Sequence, residues 1–141
     1  MILNLISTMI VATLRLTVPI IFMAIGNQFC EKAGIMNLGA EGMMISGAFT
    51  AALGTYYSGS PVVGVLCGML GGILIASLHS MNCVEFGGNQ NISGLGLNTL
   101  AAGLAAFFCR QLFGSGISPS VNNFQRTEFL AKIPFIGETL A

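Results

Sequence analysis

Apolar residues run almost unbroken through four stretches of the chain, and polar residues gather in the gaps between them. The stretches cover residues 5–29, 35–57, 61–78 and 92–113. A helix needs about 20 mostly apolar residues to cross a bilayer, and each stretch comes close to that length. The pattern predicts an all-α fold, a polytopic transmembrane helical bundle with about four membrane segments, in a single domain over 1–141. The sequence SGSP, at 58–61, marks a tight turn, with Pro61 opening the next helix. SMNCVEFGGNQN, at 80–91, reads as the following loop. After Phe113 the chain turns polar, with Gly114, Gly116, Pro119 and Pro134. That tail, 114–141, has room for a short interfacial helix at IPFIGETLA but not for another span.

Composition supports the membrane reading. The 141 residues are 54% hydrophobic and only 7% charged, and the mean hydropathy is +0.83. Soluble domains carry about 25% charged residues, so this chain cannot cover a globule with a solvated surface. Its net charge is zero and it has no basic run, which leaves no electrostatic basis for binding nucleic acid. The first residues, MILNLISTM, carry no Lys or Arg, so the start reads as a retained membrane segment and not as a signal peptide. Cys30, Cys67, Cys83 and Cys109 form no C-x-x-C pair, and no second His accompanies them. They read as small apolar packing residues, with no metal site expected.

Small residues recur every four positions in the later stretches. The third has Gly64, Gly68, Gly72, Ala76 and Ser80; the second has Gly47, Ala51 and Thr55; the fourth has Gly94, Asn98, Ala102 and Ala106. That spacing places them near one another along a helix face. Small side chains allow close helix approach in lipid, where no hydrophobic drive acts between helices. The ladders predict close packing, with Gly64, Gly68, Gly72 and Ala76 as its main contact line.

Several polar residues interrupt this greasy pattern. Arg15 precedes Pro19 by four, and proline deprives the carbonyl of residue 15 of its usual partner, so a kink is expected. Arg15 either snorkels to an interface or lines a wet pathway, pairing there with an acid such as Glu41. The stretch EKAGIMNLGAEGMMISGA, at 31–48, holds Gly34, Asn37, Gly39, Glu41 and Gly42. Each of those glycines weakens a helix by roughly 1 kcal/mol relative to Ala. Together with Asn37 they predict a broken or re-entrant stretch around 34–42, with a regular helix from about Glu41. Such a break is either an ordinary interfacial loop, with Glu41 serving the helix dipole, or irregular backbone at a transport pathway. Asn98 either hydrogen-bonds a neighbouring helix or contacts a substrate. His79 reads as a cap on the last carbonyls of the third helix, with a ligand or proton-relay role as the alternative. The candidate pathway residues are thus Asn37, Gly39, Glu41, Gly42, Asn98 and Arg15.

No G-x-x-x-x-G-K-[ST] loop is present, no Ser/His/Asp constellation is evident, and the chain contains no Asp. Nothing here suggests an enzyme, and active transport through this chain would draw its energy from another.

The residues Thr13-Leu14-Arg15, Thr17, Pro19, Glu31-Lys32-Ala33-Gly34, Asn37-Leu38-Gly39-Ala40-Glu41-Gly42-Met43-Met44 and Gly47-Ala48-Phe49 closely resemble the start of bacterial binding-protein-dependent ABC importer permeases. A second block, NQNISGLGLNTLAAGL at 89–104, is similar to the same family. The branch is that of nucleosides and simple sugars, related to the branched-chain amino acid permeases. The resemblance implies a multi-pass permease subunit of the bacterial inner membrane, bathed in lipid and paired with a second permease subunit. Two ABC ATPase subunits would hydrolyse the ATP, so no cofactor is expected in this chain, and a substrate-binding protein would deliver the cargo. Nucleosides are the nearer cargo, with simple sugars as the other. The alternative from a different class is a non-transporting membrane scaffold or assembly subunit, which the small ladders alone would equally permit. The resemblance further implies that the chain corresponds to the N-terminal half of a longer architecture.

One departure concerns the loop at 80–91, which has Glu85 and no Lys or Arg where the family pattern is basic. Orientation is contested. Lys32 opposes Arg110, Arg126 and Lys132, which places the tail on the cytoplasmic side by count, whereas the resemblance implies the reverse.

Overall fold

The computed structural model describes residues 2–115, 117–118 and 120–121. Four α-helices follow one another: α1 Ile2–Lys32, α2 Ala40–Ser58, α3 Pro61–Ser80 and α4 Gln90–Phe113. A π-helical turn, Met81–Glu85, prolongs α3 into the segment that the sequence reads as loop. The fold is all-α, as the hydrophobic pattern predicts. Among the described residues, three helical stretches are long and apolar enough to cross a membrane: Thr8–Lys32, Pro61–Glu85 and Gln90–Phe113. Helix α2 is shorter, at 19 residues, and its first turn is polar. The expected helix at 133–141, and Arg126 and Lys132, lie outside the described residues.

The described residues fall into two compact units, 2–26 and 27–121. The first is helical throughout, and α1 continues through Pro19. Thr13 Oγ1 donates to the Met9 carbonyl at 2.8 Å and Thr17 Oγ1 to the Thr13 carbonyl at 2.7 Å, so both hydroxyls are satisfied within the helix. Arg15 is exposed.

The second unit begins with the last turns of α1. Gly34 ends that helix at φ +81°, its amide donating to the Glu31 carbonyl at 3.0 Å, while the Ile35 amide reaches the Cys30 carbonyl at 3.0 Å. This pair of bonds is a Schellman cap, and it satisfies carbonyls that a helix end leaves orphaned. Non-helical backbone then runs to Gly39, so the break falls where the glycines and Asn37 predict it. Gly59 and Gly114 end α2 and α4 in the same left-handed conformation, at φ +68° and +67°.

Helices α2 and α3 meet backbone to backbone. A Cβ added at Gly68 would lie 3.0 Å from the Gly47 carbonyl oxygen and 3.0 Å from the Ala51 Cβ. One added at Gly64 would collide with the Thr55 hydroxyl, and one at Gly71 with that of Thr50. Ser46 Oγ donates across the same seam to the Gly71 carbonyl at 3.2 Å. The contact line then drifts off the every-fourth row. Ser80 is exposed, and Ile75 and His79 are buried instead. In α4 the predicted Ala102 and Ala106 are exposed, whereas Ala101 and Cys109 are buried. A helix turns every 3.6 residues, so a strict step of four rotates away from any fixed neighbour.

Candidate functional site

The break at 33–39 and the start of α2 lie against the first third of α4, and glycines make the approach possible. A Cβ at Gly94 would stand 2.8 Å from the Gly39 nitrogen and 2.9 Å from the Leu38 carbonyl carbon. A Cβ at Gly42 would stand 2.8 Å from the Leu97 carbonyl oxygen and 3.1 Å from the Asn98 Cα. Irregular backbone at membrane depth persists only where protein or a wet cavity satisfies its polar groups. In this break three carboxamides bond backbone groups, those of Asn98 and Gln90 from α4 and that of Asn37 from within the loop.

Asn98 provides the central pair of bonds. Its Oδ1 accepts from the Gly42 amide at 2.7 Å, and its Nδ2 donates to the Leu38 carbonyl at 2.9 Å. Helix α2 begins after Gly39, which has no side chain with which to cap it. Asn98 therefore acts as a remote N-cap on the third amide of α2, the role that Ser, Thr or Asp usually plays from within the same helix. Gln90 holds the far end of the break, its Oε1 accepting from the Met36 amide at 2.7 Å. Asn37 works within the loop: its Oδ1 accepts from the Gly39 amide at 3.2 Å, and its Nδ2 donates to Asn27 Oδ1, near the end of α1, at 3.1 Å. At the start of α4, Asn89 is an ordinary local cap, accepting from the amides of Asn91 and Ile92.

Of the candidate pathway residues, Asn37, Gly39, Gly42 and Asn98 thus fall into one hydrogen-bonded cluster. Glu41 adjoins it, exposed in the first turn of α2, where a carboxylate suits the positive end of the helix dipole. Arg15 belongs to the other unit, 2–26. Gln90 and Asn27 join this cluster as well. A Gln beside a helix start is a weak signal, and its partner lies 54 residues away.

His79 is not a helix cap. It is only 3% exposed, and its Nδ1 lies 3.1 Å from Ser93 Oγ, which joins α3 to α4. Cys83 Sγ sits 3.8 Å from both ring nitrogens, beside the ring and not along either lone pair. That position suits packing better than metal ligation. Among the described residues, no three His, Cys, Asp or Glu side chains converge. A groove of about 430 Å³ between α3 and α4 is lined by Asn82, Asn89 and Ser93 among apolar side chains.

A family model described as the branched-chain amino acid transport system / permease component matches residues 9–141, nearly the whole chain. The chain belongs to that family. It is 32% identical, over 97% of its length, to the guanosine ABC transporter permease protein NupQ of Bacillus subtilis. It is 33% identical, over 85%, to the nucleoside ABC transporter permease protein NupC of Lactococcus lactis. It is 35% identical, over 90%, to a putative glucose ABC transporter permease protein, TsgC13, of Haloferax volcanii. The chain spans 46%, 40% and 39% of the length of these three relatives, respectively. No solved structure matches it closely enough to compare. Family and helices together make this a multi-pass membrane protein.

Proposed function

We propose that the chain forms part of the membrane permease of an ATP-binding-cassette importer, moving nucleosides across the cytoplasmic (inner) membrane. The observation that carries this reading is the similarity to two permeases named for guanosine and nucleoside transport, which extends through both the break and the start of α4. Partner ATPase subunits supply the energy, a second permease subunit completes the membrane passage, and a substrate-binding protein delivers the cargo. The break around Asn37–Gly42 lies along the pathway, because a strapped, irregular backbone segment between apolar helices is a feature of transporter sites. Asn37, Gly39, Glu41, Gly42 and Asn98 shape that part of the pathway, and Arg15 is a further candidate along it.

Simple sugars are the second reading, supported by the similarity to the putative glucose permease. Uptake of labelled guanosine, other nucleosides and glucose, with and without the locus, separates the two. Loss of nucleoside uptake alone supports the proposal, and loss of glucose uptake alone moves the cargo to sugars. A scaffold role follows if neither changes.

A further inference from the structure

We infer that Asn98 is a positioning residue for transport: it pins the start of α4 to the break and to α2, and the rest of α4 swings about that pin. The inference rests on the permease reading for its purpose but not for its geometry. The Asn98 oxygen is committed to the Gly42 amide and its nitrogen to the Leu38 carbonyl, both of them backbone groups. A side chain so engaged holds structure in place and has little left for a passing cargo.

The placement of the other bonds extends the argument. Gln90 to the Met36 amide, Ser93 to His79, and Asn98 to Leu38 and Gly42 all leave α4 within its first nine residues. Beyond Asn98, the described part of α4 makes no side-chain hydrogen bond to another helix; it packs through the buried Ala101 and Cys109 and through rings, Phe108 against Phe49 at 6.2 Å between centroids and Phe113 against Tyr56 at 5.1 Å. Thr99 spends its hydroxyl on its own helix. Helices α2 and α3 are joined differently: small residues bring their backbones into contact along the seam, and Ser46 donates across it to the Gly71 carbonyl. The unit therefore combines a rigid α2–α3 pair with an α4 that is fastened at one end and held at the other by non-directional contacts. Ring contacts can be broken and remade without orphaning a polar group in lipid, whereas the Asn98 bonds cannot.

Two buried sites report on this without any assay of transport. Cys109 lies in the swinging part of α4 and Ala40 at the pinned start of α2, with nearly equal exposures of 8% and 9%. The full chain is placed in native membranes with Cys30, Cys67 and Cys83 replaced by Ala. Either Cys109 is kept, or it too is replaced and Ala40→Cys introduced. Labelling by a membrane-permeant maleimide is then timed, each rate taken relative to denatured protein. Cys109 is expected to label at least about tenfold faster than Ala40→Cys, since local opening differs between pinned and unpinned segments. Asn98→Ala should raise Ala40→Cys labelling to near the Cys109 rate. Asn98→Asp keeps an acceptor for the Gly42 amide and should leave Ala40→Cys slow. Equal protection of the two thiols in the parent, or no response to Asn98→Ala, overturns the pin.

Uptake kinetics supply the second readout. Asn98→Ala should lower the maximal rate with KM unchanged, and Asn98→Asp should recover part of it. A raised KM with Ala40→Cys still protected would place Asn98 on the cargo and overturn the positioning role. A parent chain that supports no uptake would count against the permease reading and leave the labelling result standing.

Discussion

Asn98 Oδ1 accepts the Gly42 amide at 2.7 Å across 56 residues of chain. That one contact caps α2 from another helix and fixes where the irregular segment after α1 gives way to regular helix. Asn98→Ala leaves both the Gly42 amide and the Leu38 carbonyl without this partner. Gly42 is buried, and leaving its amide unsatisfied costs about 1–3 kcal/mol. Thermal unfolding in detergent is the check, and a variant within about 0.5 kcal/mol of the parent would mean that water replaces the carboxamide without loss.

The α2–α3 seam gives a steric prediction. Gly68 has no room for a side chain beside Gly47 and Ala51, whereas Leu70 is 66% exposed. Gly68→Leu should destabilise by at least about 1–3 kcal/mol through overpacking. Leu70→Ala should stay within about 0.5 kcal/mol, as exposed substitutions do. Both are read by the temperature at which the detergent-solubilised protein loses its helical signal. Similar losses from the two changes would put the seam elsewhere.

His79 and Ser93 should behave as a coupled pair. Each single change to Ala removes one partner of a buried bond, and the double change removes both. A double-mutant cycle is expected to show a coupling of about 0.5–3 kcal/mol. Purely additive losses would mean that the two side chains merely pack.

Glycine conformation separates two positions with equal open space. A Cβ at Gly59 or at Gly103 meets nothing within 4 Å, but only Gly59 has a positive φ, +68°. Gly59→Ala should cost about 1–2 kcal/mol because a side chain disfavours the left-handed region. Gly103→Ala should be neutral or stabilise α4 by up to about 1 kcal/mol. Unfolding of the two variants side by side tests this, and a loss at Gly103 would show that another helix covers it.

Much of the architecture was legible in the pattern of apolar runs, because a membrane helix must be long, greasy and free of charge. The break was legible too, since Gly34, Asn37 and Gly39 all weaken a helix locally. At the start of the α3 ladder, Gly64 and Gly68 lie against α2. Towards its end a step of four drifts where the helix repeats at 3.6, so Ile75 and His79 are buried and Ser80 is exposed. The roles of Asn98 and His79 were not fixed by the sequence, because each depends on a partner set by tertiary packing. The π turn at Met81–Glu85 gave no local signal, as its loop-like composition hides a helical continuation.

The most direct test of the account asks whether the strapped break lies on a nucleoside pathway. Glu41 is exposed beside the cluster, so Glu41→Cys places a reactive thiol there, in a chain whose four native cysteines are replaced by Ala. Initial guanosine uptake is measured in cells lacking the locus and carrying this variant, before and after a charged methanethiosulfonate reagent. The account predicts uptake that depends on the locus, is blocked by the reagent, and is protected when nucleoside is present during modification. Uptake that persists without the locus, or a block that nucleoside does nothing to prevent, would contradict it.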